Sequence, residues 1–339
     1  MVQPLCDIGM VRPTNLLRCV VFHNISAIDS PFTKGMRVDI TPAEFEVALN
    51  FFTRYYTPVS LRDVLADSDG RRLPPRPILL TFDDGYASVM EWAAPICSKF
   101  GVPAVLFLNA AFLENERLAP DNLVCYVANV LGMETIHAAV RLVRGADSPG
   151  LVSQGDVFSR FFPAISLAER KTFLDALIYL SGIDERQLAT KARLYLSRKE
   201  LCDLGSMGFE IGNHTYSHVR CRSLAAADFS DEVDRNKAEL ETLTGKQVLS
   251  FSVPYGSSAD LTSDLLRHLV LSGHEAIFLC ESVANSAGAD RFQLNRVSLR
   301  AGQTTTLLVE MEVLPRLRLL RRRVLRNWDA VLRGGHYSR

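Results

Sequence analysis

Ile78-Leu79-Leu80-Thr81-Phe82-Asp83-Asp84-Gly85-Tyr86 sets an apolar run of strand length directly against two adjacent carboxylates and a glycine. An apolar run of this length fits a fully buried strand of a parallel sheet. In parallel α/β folds the functional groups collect where strands end at their C-terminal edge. Adjacent carboxylates at that edge can divide labour, one binding a cation while the other takes a proton. The same residues would also serve as a turn with an Asp cap, because Asp-Gly is a common turn pair. The stretch therefore needs support from elsewhere in the chain.

Two more stretches supply it. Phe209-Glu210-Ile211-Gly212-Asn213-His214-Thr215-Tyr216-Ser217-His218 again leads a short apolar run into polar residues. His214 and His218 are four apart, so on a helical turn they face the same way. Two imidazoles so placed suit a divalent transition metal. Thr215 stands where the zinc-protease helix motif has its Glu. Phe251-Ser252-Val253-Pro254-Tyr255-Gly256 is a third strand ending in a turn. Free backbone N–H groups in such a turn can stabilise an oxyanion. Each stretch alone is explained by surface histidines or a plain turn. The three together, in the order Asp-Asp-Gly, His-x-x-x-His, Pro-Tyr-Gly, are specific.

In this combination the chain resembles the polysaccharide deacetylase family, the NodB homology or carbohydrate esterase family 4 group, over roughly 15–110 and 200–300. The resemblance implies an α/β fold, a distorted (β/α)7 barrel, and removal of an acetyl group from an N-acetylated sugar. It implies that Asp84, His214 and His218 bind a divalent metal ion, that Asp83 is the catalytic base, and that the Tyr255 N–H is the oxyanion donor. Zinc is the default ion, and iron, cobalt or nickel suit the same ligand set.

The pattern departs from the family in two places. Many members carry an Arg before the third motif, where Phe251 and Ser252 stand here. Arg296, in Leu294-Asn295-Arg296-Val297, is the candidate to support Asp83 instead. Many members also supply a general acid from a late Leu-x-His. The literal match, Leu266-Arg267-His268, falls inside a predicted helix and reads as a coincidence, and His274 reads as a loop residue. His23, after Val20-Val21-Phe22, is the candidate acid, since some relatives place an active-site His at the end of their first strand.

Around these motifs, apolar runs at Cys19–Phe22, Ile78–Phe82, Ala104–Leu108, Phe209–Ile211, Leu249–Val253 and Ala276–Leu279 read as strands. They alternate with helical patterns at Pro42–Tyr56, Ala87–Phe100, Leu224–Leu243 and Ser263–Gly273. Such alternation argues for a mostly parallel sheet, and on pattern alone an open sheet fits as well as a barrel. The interval from about 111 to 200 is mainly helical: Asn122–Leu131, Thr135–Val143, Leu167–Leu180 and Asp184–Ala192. It reads as an insertion in a barrel domain of residues 15–303, either capping the site or packing on the barrel exterior. Residues 304–339 read as a basic C-terminal helical tail, with six arginines between Arg316 and Arg326. Such a helix can dock on the barrel or make peripheral contact with an anionic membrane.

Bulk properties narrow the class. The chain has 339 residues, 47% of them hydrophobic, enough for a large core. Lys and Arg total 38 against 38 Asp and Glu, so no nucleic-acid partner is expected. No apolar run approaches a membrane span. Cys6, Asp7, Arg12 and Pro13 interrupt any signal-like run, and the seven cysteines contain no Cys-x-x-Cys pair, so reduced, mostly buried thiols in a cytoplasmic protein are expected. That location shifts the expected substrate from a finished cell-wall polymer toward a nucleotide- or lipid-linked sugar, an oligosaccharide or a glycosylated metabolite. The alternative reading is a hydrolase of a non-sugar amide or cyclic imide, or a deformylase, on the same scaffold. A non-catalytic binding protein is disfavoured by the presence together of Asp83, Asp84, His214 and His218.

Overall fold

The computed structural model describes residues 16–67, 72–145, 150–283, 285, 289–299, 304–315 and 317–318. Strands without a polar face need cover on both sides, and here they obtain it by closing into a ring. The ring strands are β1 (Arg18–Phe22), β2 (Pro77–Phe82), β3 (Ala104–Leu108), β4 (Phe209–Asn213), β5 (Ser250–Ser252), β6 (Ala276–Leu279) and β7 (Leu294–Ser298). Every residue of β1, β2 and β3 is buried. Neighbours pair in parallel and in sequence order from β2 to β7. β1 pairs with both β7 (Cys19 opposite Arg296) and β2 (Cys19 opposite Leu79), which closes a seven-stranded barrel and excludes the open sheet. A two-residue strand, Thr57–Pro58, adds to β2 outside the ring.

Helices cover the barrel. Thr41 caps the helix Pro42–Tyr55: it accepts from the Glu44 N–H while Glu44 reaches back to the cap. Phe45, Leu49 and Phe52 recur at helical spacing on that helix and are buried against the strand residues Phe22, Leu80 and Phe82. Two of the predicted helices are not single. Ala87–Phe100 begins as a widened turn, Val89–Ala93, before the α-helix Ala94–Phe100. Leu224–Leu243 divides into a short turn at Ala226–Asp228, a wide turn at Ser230–Asp234 and the α-helix Arg235–Thr244.

The insertion forms the helices Pro120–Val130, Met133–Arg144, Leu167–Ser181 and Glu185–Ala192. They bury a core of their own that includes Phe112, Val124, Val140, Phe161, Phe173 and Leu177. Tyr86, directly after the Asp-Asp-Gly stretch, belongs to that core and stacks on Tyr195, ring centroids 5.9 Å apart. The insertion is thereby joined to the barrel at the edge where the motifs lie.

Inside the barrel, Cys19, Leu79, Val105, Phe107 and Phe278 pack together, with the Phe107 and Phe278 rings 5.3 Å apart. Arg296 lies opposite Cys19 on β7 and shares this interior, its guanidinium carbon 5.3 Å from the Phe107 ring centre. Sequence patterning does not mark β7, because Asn295 and Arg296 interrupt its apolar run. Gly212 on β4 leaves the space that Phe107 fills. A methyl there would stand 2.3 Å from one ring carbon, 2.4 Å from another and 2.8 Å from Ser250 Oγ.

Beyond the barrel the chain is helical at Thr304–Leu308 and continues through Val309–Val313. Leu307 and Met311 are buried against the barrel helices. Glu312 accepts from Arg18 Nη2 at 3.2 Å and from the Tyr56 hydroxyl at 2.5 Å. The basic stretch from Arg316 lies outside the described residues, apart from Leu317 and Arg318. No helix of the described residues is long and apolar enough to cross a membrane. The six described cysteines are all free; Cys202 is exposed and Cys280 half-buried, the others buried.

Gly212→Ala should lose about 1–3 kcal/mol of stability through overpacking against Phe107. Chemical denaturation measures it, and an unchanged midpoint would show that the Phe107 ring has freedom to move aside.

Candidate active site

Strand β2 delivers Asp83 and Asp84 at its C-terminal end, where the Asp83 N–H donates to the Phe22 carbonyl at the end of β1. Gly85 follows at φ +70°, and a methyl there would meet Leu108 at 2.4 Å. Arg296 rises from β7 to meet Asp83 in a two-pronged contact, Nη1 to Oδ1 and Nη2 to Oδ2, both 2.7 Å. Its remaining donors reach Thr81 Oγ1 (3.2 Å), Ser252 Oγ (2.7 Å) and the Leu279 carbonyl (3.3 Å). Ser252 also donates to Asp83 Oδ2 at 3.3 Å. Burial alone would push the Asp83 pKa up, but the Arg296 charge and its hydrogen bonds bring it below the ordinary carboxylate value.

Asp84 faces the two histidines. Its Oδ1 is 3.5 Å from His214 Nε2 and 3.4 Å from His218 Nε2, and the three potential ligand atoms all lie within 4.8 Å of one another. The other ring nitrogens are engaged. His214 Nδ1 donates to the Ser252 carbonyl at 2.7 Å, and His218 Nδ1 donates to Asp121 Oδ2 at 2.6 Å. A carbonyl and a carboxylate only accept, so each Nδ1 carries the proton and each Nε2 presents a lone pair. Asp84 Oδ1 is buried and has no hydrogen-bond partner. Three lone-pair atoms facing one another repel unless a cation stands between them. Asp84 and Asp121 outweigh burial and raise the His218 pKa. The donor set therefore fits a divalent metal ion.

Backbone strain gathers here as well. Asp84 (φ +70°), Thr215 (+63°), His218 (+52°) and Tyr255 (+63°) are all left-handed without being glycine. Each such residue costs on the order of 1–3 kcal/mol and persists only where its surroundings hold it. Tyr255 is held on three sides. Its hydroxyl donates to Asp121 Oδ1 (2.9 Å), its ring lies 5.0 Å from that of His218, and the Arg220 guanidinium sits 4.2 Å from its centre. Arg220 is fixed in turn by Asp260 at 2.8 Å. The Tyr255 N–H has no hydrogen-bond partner among the described residues.

All seven residues singled out in the sequence, His23, Asp83, Asp84, His214, His218, Tyr255 and Arg296, line one cavity of about 300 Å³. Burial lowers the His23 pKa, against the pull of Asp84 and Asp83. His268 instead pairs with Asp234 at 2.9 Å on the outer face. His274 is buried beside Asn213, where burial takes its pKa down to about 3.

Asp121 was not anticipated. It sits in the first turn of the insertion helix Pro120–Val130, and its partners are 97 and 134 residues away in sequence. Arg170, also from the insertion, donates to the His218 carbonyl at 2.8 Å. Gly155 and Phe158 of the insertion line the cavity. The insertion thus both packs on the barrel and supplies part of the site.

The family model for polysaccharide deacetylase matches residues 159–273, a stretch that includes His214, His218 and Tyr255 but not Asp83 or Asp84. Among solved structures, the fold is similar to a deacetylase PplD from Streptococcus pyogenes, in complex with acetate (14% identity, 88% of this chain and 99% of that one, TM-score 0.59). It is also similar to IcaB from Ammonifex degensii (16% identity, 89% and 99%, TM-score 0.56). A de-N-acetylase from Aggregatibacter actinomycetemcomitans is a third (15% identity, 87% and 99%, TM-score 0.55). A comparison with curated proteins gave no match. The family match over residues 159–273 and the barrel indicate a hydrolase acting on carbon–nitrogen bonds.

Asp121→Ala should weaken metal binding by about 10- to 100-fold, the usual cost of removing a carboxylate behind a ligating histidine. Tyr255→Phe removes only the other partner of Asp121 and should cost less. Chelator competition measures both affinities; equal affinity of Asp121→Ala and the parent protein would rule out this support.

Proposed function

We propose that the protein is a metal-dependent hydrolase that removes the N-acetyl group from an N-acetylated sugar or glycoconjugate. One observation carries the reading. A buried carboxylate, Asp83, is fixed by a bidentate arginine in the same pocket as a three-ligand cation site, Asp84, His214 and His218.

A divalent cation at that site supplies Lewis acidity toward an amide carbonyl. Zinc is the ion we propose, and two imidazoles and a carboxylate also suit iron, cobalt or nickel. Asp83 accepts the proton of the attacking water. Arg296 keeps Asp83 ionised and sets the direction of both its oxygens. The unpartnered Tyr255 N–H donates to the carbonyl oxygen as it gains charge. A carboxyl of lowered pKa does not retain the proton it takes. His23, on the same cavity, delivers a proton to the departing nitrogen as general acid. Two of the structural relatives are a deacetylase and a de-N-acetylase, which supports the choice of an N-acetyl substrate.

Acetate release from a panel of N-acetylated mono- and oligosaccharides tests the reading. Asp83→Asn should lower the rate by at least about 10²-fold, and His23→Ala by a similar factor, both with normal metal content. Full activity in either variant would remove that residue from the scheme.

The pH profile tests the role of Arg296. A carboxyl with lowered pKa stays ionised, and able to act as a base, to lower pH. Arg296→Met removes the largest influence holding it down, so the acidic limb of kcat/KM should move to higher pH. A limb that stays in place would mean that another group sets it.

A further inference from the structure

The rim of the pocket carries information about the substrate that its floor does not. After β1 the chain runs through residues 26–38, and the insertion lies directly against this segment. Gln154 Nε2 donates to the Lys34 carbonyl at 2.7 Å. Asn129 Nδ2 donates to the carbonyls of Pro31 and Lys34 at 3.0 and 3.1 Å. Asn122 Nδ2 donates to the Phe32 carbonyl at 2.9 Å, and Phe32 stacks on Tyr126 with ring centres 4.7 Å apart. Side-chain amides from three residues of the insertion thus satisfy the Pro31, Phe32 and Lys34 carbonyls, which have no backbone partner among the described residues. The two segments form one continuous wall. Met36 and Val38 line the pocket from one part of it, Phe158 from the other.

Below the wall, Asp83 and His214 are only 4% and 2% exposed. The cavity above them, about 300 Å³, is at the small end for ligand sites. A residue in the middle of a polysaccharide has a neighbour on each side, so an enzyme working there needs a channel open at both ends. A pocket of this size with a bonded wall along one flank has room for one sugar ring, with a linkage leading out away from the wall.

We infer that the substrate presents a single N-acetylated residue to this pocket, as a free sugar or a chain end, and not the interior of a polymer. The inference rests on the deacetylase reading above. Met36, Val38 and Phe158 supply the apolar surface for that one residue, and the wall sets its orientation.

The test uses the full chain loaded with zinc. It is given N-acetylglucosamine and two pentamers of it, β-1,4- and β-1,6-linked, each marked with ¹⁸O at the reducing end. Released acetate is quantified, and tandem mass spectrometry locates the free amine. Turnover of the monosaccharide alone, or of one terminal residue per pentamer, is the expected result. Free amines at inner residues would overturn the inference and leave the deacetylase reading standing. No acetate from any of the three would remove both. Gln154→Ala/Asn129→Ala unbolts the wall away from the catalytic groups. Inner-residue products should then rise from undetectable to a level comparable with terminal ones; a pattern that stays terminal-only would overturn the wall as its cause.

Discussion

A guanidinium and a carboxylate face each other across two 2.7 Å hydrogen bonds inside the barrel, and the candidate site depends on that contact. Burying two charges is expensive, and attraction offsets the cost only where geometry is good and the remaining donors are used. Arg296 meets both conditions. Its other N–H groups are taken by Thr81 on β2, Ser252 on β5 and Leu279 on β6. One side chain therefore ties four strands together at the level where the motifs begin. Beneath it lies Phe107, which fits only because β4 carries Gly212 at that height. The orientation of Asp83 is thus inherited from packing two layers below.

The second network runs through the insertion. Asp121 links His218 to the Tyr255 hydroxyl, and Arg170 holds the His218 carbonyl. Two residues with left-handed backbone, His218 and Tyr255, share one carboxylate. Neither turn would hold its conformation as firmly without it, because each is strained and each gains a charged hydrogen bond from the same source. The helical insertion is in this sense part of the barrel's top face.

Much of this was legible in the sequence, for identifiable reasons. Strands buried on both sides are apolar throughout, so Ala104–Leu108 and Ala276–Leu279 could be read to the residue. Met133–Arg144 shows a clear 3.6-residue period because it buries Ile136, Ala139 and Val140 on one face in the insertion's core. Barrel closure was not legible, since β1 pairing with both β2 and β7 leaves no local mark. β7 was hidden because its middle residue is a charged one turned inward. Arg296 itself could still be picked out, as the family's usual arginine was missing and a substitute was needed. Asp121 could not: a lone Asp after Pro120 looks like an ordinary helix start, and its partners are far off in sequence. The long helix expected at Leu224–Leu243 failed locally, since its first turns widen while Glu232 accepts from Ser217 of the histidine loop.

The order of the strands around the ring has a consequence for synthesis of the chain. His23 follows the first strand and Arg296 sits on the last, and these two strands are neighbours. A nascent chain leaving the ribosome can form the β2–β6 arc with its helices early, because those contacts follow sequence order. The arc has two open edges until β7 emerges and bridges β6 to β1. Until then Asp83 lacks its guanidinium and carries an uncompensated charge in a half-built interior. The histidines and Asp84 can be present in a growing polypeptide before Arg296 is, so the candidate site is complete only when almost the entire barrel has been made.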